Sequence, residues 1–282
     1  MLVTNYFKAT IIYLIGMFVL VMTTVLVKYA HLQANFSIYQ IIFCKVTFPV
    51  LVLTPFYFKY FKTIQKQDIP LLLKLFIFTV PEAYMANLAW VKLPVNNAII
   101  IMFMHPLIMT VLAWIILKEI IHKNTIVAIF IAIFGVLLAY CGGVKADGDY
   151  IWYLSLVGAM FSSGMAWIYL KQLMAKYPTS FVVYLRILCI MPFAFIFLDE
   201  VPELNSGNLK FIAFVTFSYI IERYLIAKAY SLTEVSKLQP WKFANIIYSS
   251  ALGYLILGEK ITQNQLYAIA IILVALFIGN KR

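Results

Sequence analysis

The sequence predicts an all-α, polytopic membrane protein with ten transmembrane helices arranged as two inverted five-helix repeats. Three observations carry this expectation. Apolar residues make up 64% of the 282 and charged residues only 12%, against roughly half and a quarter in soluble domains. The apolar residues gather into ten runs, each near the roughly 20 residues that cross a hydrocarbon core. The second half also repeats the first at a fixed offset. A soluble fold cannot hide that much apolar surface, so a lipid bilayer is the expected partner.

The first stretch runs from about Tyr6 to Lys28, and its apolar core, Ala9 to Val27, follows Lys8 and could mimic a secretory leader. It is longer than a leader core and lacks a convincing cleavage site, so it reads as a retained helix. The second covers Ser37 to Phe58, the third Pro70 to Val91 and the fourth Asn96 to Leu117. The fifth covers Thr125 to Gly142, the sixth Tyr150 to Leu170 and the seventh Ser180 to Leu198. The eighth covers Leu209 to Tyr230, the ninth Val235 to Leu257 and the tenth Gln265 to Gly279. Short loops join them and leave no room for a soluble domain. Cys44, Cys141 and Cys189 lie within or at the end of apolar runs without CxxC spacing, which points to apolar packing rather than a disulfide framework or zinc site.

Orientation follows from alternate loops. With the N-terminus in the cytoplasm, cytoplasmic segments hold twelve Lys and Arg residues and external ones five. That bias places both termini in the cytoplasm. The net charge of +11 is scattered between apolar runs, so it reads as an orientation signal, with no nucleic acid as partner. The abundance of Ile, Lys and Asn suggests a bacterial source, and the expected location is the bacterial inner (plasma) membrane.

A shift of 140 positions aligns the halves. Glu82-Ala83-Tyr84 meets Glu222-Arg223-Tyr224, and Ala89-Trp90 meets Ala229-Tyr230. The run from Trp114 to Glu119 meets that from Tyr254 to Glu259, and Asn124 meets Asn264. One position off the shift, Lys45 meets Arg186. Residues 1–143 and 144–282 are therefore read as two five-helix repeats in one membrane domain. An odd number of crossings inserts the second copy upside down, the arrangement of many secondary transporters.

The residues Ala89 to Ala98, then His105-Pro106, then Leu112 to Glu119 form a recognisable unit. Its second-half counterpart is Leu238-Gln239-Pro240-Trp241 followed by Ala251 to Lys260. With its Leu-Gly-Glu helix end at Leu257-Gly258-Glu259, the chain resembles the drug/metabolite transporter superfamily, in its ten-helix EamA-type branch. The resemblance implies a transporter with a central cavity, and not an enzyme. Members carry amino acids, nucleotide-like metabolites, sugars and drugs, and S-adenosylmethionine carriers are similar too. Two departures stand out: Lys118 replaces the usual Gly, and Lys45 stands where Arg is common.

Charges at bilayer depth normally face a cavity or a partner. Glu82 and Glu222 fall about twelve and thirteen residues into their helices, near the expected midplane. They are candidates for substrate contact or proton relay, or else buried partners of Lys45, Arg186 or Arg223. A carboxylate left unpaired at that depth would hold a proton, as coupling to protons requires. Lys45 and Arg186 enter from opposite faces and could bind an anion or snorkel. Arg223 follows Glu222, so the two point about 100° apart and are not expected to face the same way. Lys242, just past Pro240, is a cavity candidate, whereas Lys74 lies close to a helix end, where snorkelling is expected. His105 sits before Pro106, where an unwound stretch could bind substrate or a polar histidine could simply pack. Tyr84, Trp90, Tyr224, Tyr230 and Trp241 are candidate aromatic walls, although most such stripes are packing or interface belts. Glu119 and Glu259, at helix ends, are read as structural groups that cap or pair the halves.

The interior charges thus number five cations against two acids, a balance that favours a zwitterionic or anionic small solute, such as an amino acid. An S-adenosylmethionine-like metabolite is a further candidate. The alternatives are an intramembrane enzyme and a channel without carrier-type exchange. Only His31, His105 and His122 supply imidazoles, and no metalloprotease, nucleophile-elbow or phosphate-loop motif occurs, so no metal, cofactor or ATP-driven step is expected.

Overall fold

Lipid offers no partner for a bare N–H or C=O, so an apolar chain in a bilayer closes its hydrogen bonds within helices. The computed structural model describes residues 2–34, 37–93, 95–140, 150–198, 200, 206–257 and 262–280. Within these, side chains at 2–4, 26–34, 38, 87–88, 90–91, 95–96, 206–208, 211 and 257 lie outside the description. The described residues form twelve α-helices. The first half holds α1 (Leu2–Ala34), α2 (Ile38–Phe61), α3 (Ile69–Lys92), α4 (Val95–Met102), α5 (His105–Leu117) and α6 (Lys123–Tyr140). The second holds α7 (Tyr150–Met174), α8 (Thr179–Ile196), α9 (Ser206–Leu232), α10 (Val235–Leu238), α11 (Ala244–Leu257) and α12 (Gln263–Asn280). Eight helical stretches are long and apolar enough to cross a membrane. Beyond these, α9 has 27 residues but carries Glu222 and Arg223 within its length, and α11 has 14.

The expected fourth and ninth helices are each interrupted. Pro106 has no N–H for the Met102 carbonyl, and its ring crowds that carbonyl. The helix accordingly stops at Met102 and restarts at His105, with Met104 N–H turning back to Ile101 at 2.9 Å. Pro240 acts likewise: α10 ends at Leu238, and a 3₁₀ turn, Pro240–Phe243, leads into α11. At the offset of 140 the two breaks fall at matching places.

Helices pair across the halves: α1 with α9, α3 with α7, α2 with α8, and α6 with α12. Exchanging the first half for the second maps this set of pairs onto itself. Within each pair the chains run antiparallel. Along α3–α7, Lys74 lies over Tyr169, Glu82 bonds Ser163 and Met85 meets Gly158. Along α2–α8, Phe43 touches Phe195 and Phe61 touches Phe181. Glycine permits the closest approach in α6–α12, where a Cβ on Gly135 would stand 3.3 Å from the Ala268 carbonyl. Outward faces carry exposed apolar side chains such as Phe56, Ile196 and Leu255, as a lipid-facing surface requires.

Candidate functional site

Helices α3, α7, α8 and α9 bring five polar side chains together in the interior. The Arg186 Nη2 donates to Glu82 Oε2 at 2.5 Å, and Ser163 donates to Glu82 Oε1 at 2.9 Å. Arg223 approaches the same carboxylate, with Nη1 3.9 Å from Oε1. Its Nε also lies 3.4 Å from Glu222 Oε1. The expectation that Glu222 and Arg223 could not face the same way is therefore corrected. Their Cα–Cβ bonds diverge, but the long arginine side chain curls back across that angle. Arg186 is 4.0 Å above the Trp167 ring, and Arg223 lies over Tyr219 at 5.0 Å, contacts that hold guanidinium groups flat against aromatic faces.

The repeat offset organises these groups. Thr23 lies within hydrogen-bonding reach of Glu222, and it is related by 140 positions to Ser163, which bonds Glu82. Lys45, the counterpart of Arg186, sits 4.6 Å over Tyr219 on the Glu222 side. Each carboxylate thus meets a hydroxyl from the first helix of the other half and a cation from the second.

His105 and Lys242 come from the two interrupted helices. Lys242 Nζ and His105 Nδ1 are 2.6 Å apart, and His105 is buried. Among the described residues Lys242 has no carboxylate oxygen within 4.0 Å, although Glu82 and Arg223 act on it at longer range. Tyr230 is buried against Trp167, accepts from Gln239 at 3.3 Å and lies 3.4 Å from the Tyr13 hydroxyl. Trp241 donates to Tyr6 at 3.1 Å.

Other expected wall residues lie elsewhere. Tyr84 packs on Phe197 at 4.8 Å, on the side of α3 away from Glu82. Tyr224 is exposed. The Trp90 side chain and Glu259 lie outside the described residues, as does Cys141. Lys74 is exposed at the start of α3. Sequence reasoning missed Ser163, Thr23, Trp167 and Tyr219. The offset of 140 that joins Thr23 to Ser163 was the available signal for those two; the two aromatics have none in an aromatic-rich chain.

Away from this cluster, the polar links that join the halves include one at Glu119 and one at Asp68. Glu119 accepts from Val235 N at 2.8 Å, Ser236 N at 2.9 Å, the Ser236 hydroxyl at 2.7 Å and Lys171 at 2.9 Å. It caps α10, as read from the sequence. Burial alone would raise its carboxyl, but Lys171 and the Ser236 donors outweigh burial and hold it below the ordinary carboxylate range. Beside a cleft of about 470 Å³, buried Asp68 pairs with Lys176 and accepts from Tyr177 at 2.6 Å.

The model of the EamA-like transporter family matches residues 7–141 and again 150–280. No curated protein matches. Among solved structures 28 chains match. One, described only as "Crystal structure of protein", superposes with a TM-score of 0.77 at 14% identity, covering 97% of this chain and 98% of its own. At that identity the likeness shows the fold alone.

Proposed function

Since this chain belongs to the EamA-like transporter family, we propose that it carries a small zwitterionic or anionic metabolite by alternating access. In this reading the ten stretches cross a bacterial inner membrane as two inverted repeats, 1–143 and 144–282, with both termini cytoplasmic. The solute is an amino acid or a comparable carboxylated metabolite, S-adenosylmethionine-like compounds included. The observation that supports it best is the interior cluster: among the described residues the four cations Lys45, Arg186, Arg223 and Lys242 gather around two carboxylates, Glu82 and Glu222.

Net positive charge held away from water is costly until an anion joins it. A bound carboxylate lowers that cost, so it favours the state in which the cluster is closed on both sides. Two halves of like structure and opposite orientation can exchange conformations, one exchange partner open outward and the other inward. The interrupted helices supply the adjustable backbone beside the cluster.

The test is counterflow in proteoliposomes with a metabolite panel. Saturable uptake accelerated by internal substrate, and preference for carboxylated solutes, are expected. Linear flux without exchange, or preference for a bulky cation lacking a carboxylate, overturns the proposal. Coupling to protons is read from Glu82→Gln and Glu222→Gln. A relay role predicts lost uphill uptake with exchange retained, and unchanged uphill uptake in both singles and the double variant excludes it.

A further inference from the structure

We propose that Lys242 is the docking point for the anionic group of the transported solute, with His105 as the positioning residue that aims its ammonium. The inference rests on the reading above that the solute bears a carboxylate. It starts from the inventory of interior cations. Arg186 has its countercharge in Glu82 at 2.5 Å, and Arg223 has Glu222 and Glu82 at 3.4 and 3.9 Å, although Arg186 Nη1 and Arg223 Nε make no hydrogen bond among the described residues. Lys45 covers the Tyr219 ring beside Glu222. Among the described residues the close polar partner of Lys242 is the His105 imidazole, which brings no countercharge when its neutral Nδ1 accepts a hydrogen bond from the ammonium.

The repeat gives a second, independent argument. The Glu82–Ser163–Arg186 group has its counterpart in Glu222, Thr23 and Lys45, so that framework was duplicated with the fold. The positions equivalent to His105 and Lys242 are Asn245 and Met102. This pair therefore exists once, on the two interrupted helices and between the halves. A scaffold device would be expected in both copies, whereas a point that grips one end of one solute is needed once.

The experiment compares uptake of the common amino acids and dicarboxylates with that of their amides and methyl esters. Wild-type protein and three variants are reconstituted: Lys242→Gln, Lys242→Met and Lys242→Arg. Glutamine keeps a donor for His105 without the charge, and methionine is the residue at the equivalent place in the other half. Losing a charged hydrogen bond should raise KM for the acids by about tenfold to a hundredfold. KM for the amides and esters should move little, and arginine should keep the preference for acids. Retained acid-over-ester discrimination in either neutral variant that folds, judged by gel filtration and thermal shift, overturns the assignment. Wild-type protein that shows no preference for acids sinks the broader reading instead, so the two failures are distinct.

Discussion

Lys118 is the one non-glycine residue with positive φ among the described residues, at φ 56°, ψ 33°. It ends α5, and its N–H returns to the Ala113 carbonyl. A Cβ in this left-handed conformation costs about 1–2 kcal/mol, which glycine avoids. The departure from glycine seen in the sequence thus falls where glycine has a physical purpose. Lys118→Gly should stabilise the protein by roughly 1 kcal/mol, since glycine returns part of the gain through its freer unfolded chain. Thermal unfolding in detergent measures it, and a lower Tm would count against the strained cap. Glu82 makes the opposite case. Removing one member of a buried ion pair leaves the other charge alone, at a cost of about 3–5 kcal/mol. Glu82→Gln should lower Tm markedly, and adding Arg186→Met should restore part of the loss. An unchanged Tm in Glu82→Gln would show that Arg186 does not depend on this partner.

Helix termini show how tertiary contacts carry the fold, and how far they can be read beforehand. Glu119 stands at the end of one half and caps α10 in the other. Its folded carboxyl lies below the ordinary range, so the folded state binds its proton less readily than the unfolded chain. The stabilisation is then complete above the unfolded value of about 4.3. It is lost as pH falls through the folded value. Glu119→Gln should cost about 1–3 kcal/mol at pH 7, and the Tm gap to wild type should narrow on acidification below pH 4.3. A gap that does not vary with pH would remove the charge from the explanation. The existence and order of the long apolar helices were legible because lipid demands long apolar runs. So was the capping role of Glu119, a charge at a helix end. The interruptions were legible only in part. Pro49, Pro55, Pro81 and Pro192 lie inside continuous helices, whereas Pro106 and Pro240 accompany breaks. Proline spacing alone does not separate these cases, because both breaks lie where α5 meets α10 between the halves. The meeting of Glu222 with Arg223 was likewise hidden, since helical geometry fixes Cβ directions and not the reach of a long side chain.

At the scale of the molecule, the antiparallel cross-pairs make a claim about sidedness. The start of α2 reaches the far end of α8, with Gln40 donating to the Glu200 carbonyl at 3.2 Å. The end of α2 meets the start of α8, where Phe61 touches Phe181. With 24 residues at 1.5 Å each, α2 spans about 36 Å, enough for a hydrocarbon core of roughly 30 Å. Lys62 and Glu200 should therefore lie on opposite sides of the membrane. Cysteines placed singly at these positions, in a background with Cys44, Cys141 and Cys189 replaced by alanine, report the answer. An impermeant maleimide should label the Glu200 position in intact cells and the Lys62 position only after permeabilisation. Labelling of both from one side would mean that α2 does not cross, and the inverted arrangement would fall with it. The reverse order of labelling would keep the inverted repeats but turn the molecule over, contradicting the twelve-to-five distribution of Lys and Arg. That distribution is independent of the helix pairing, so the two outcomes separate a wrong fold from a wrong orientation.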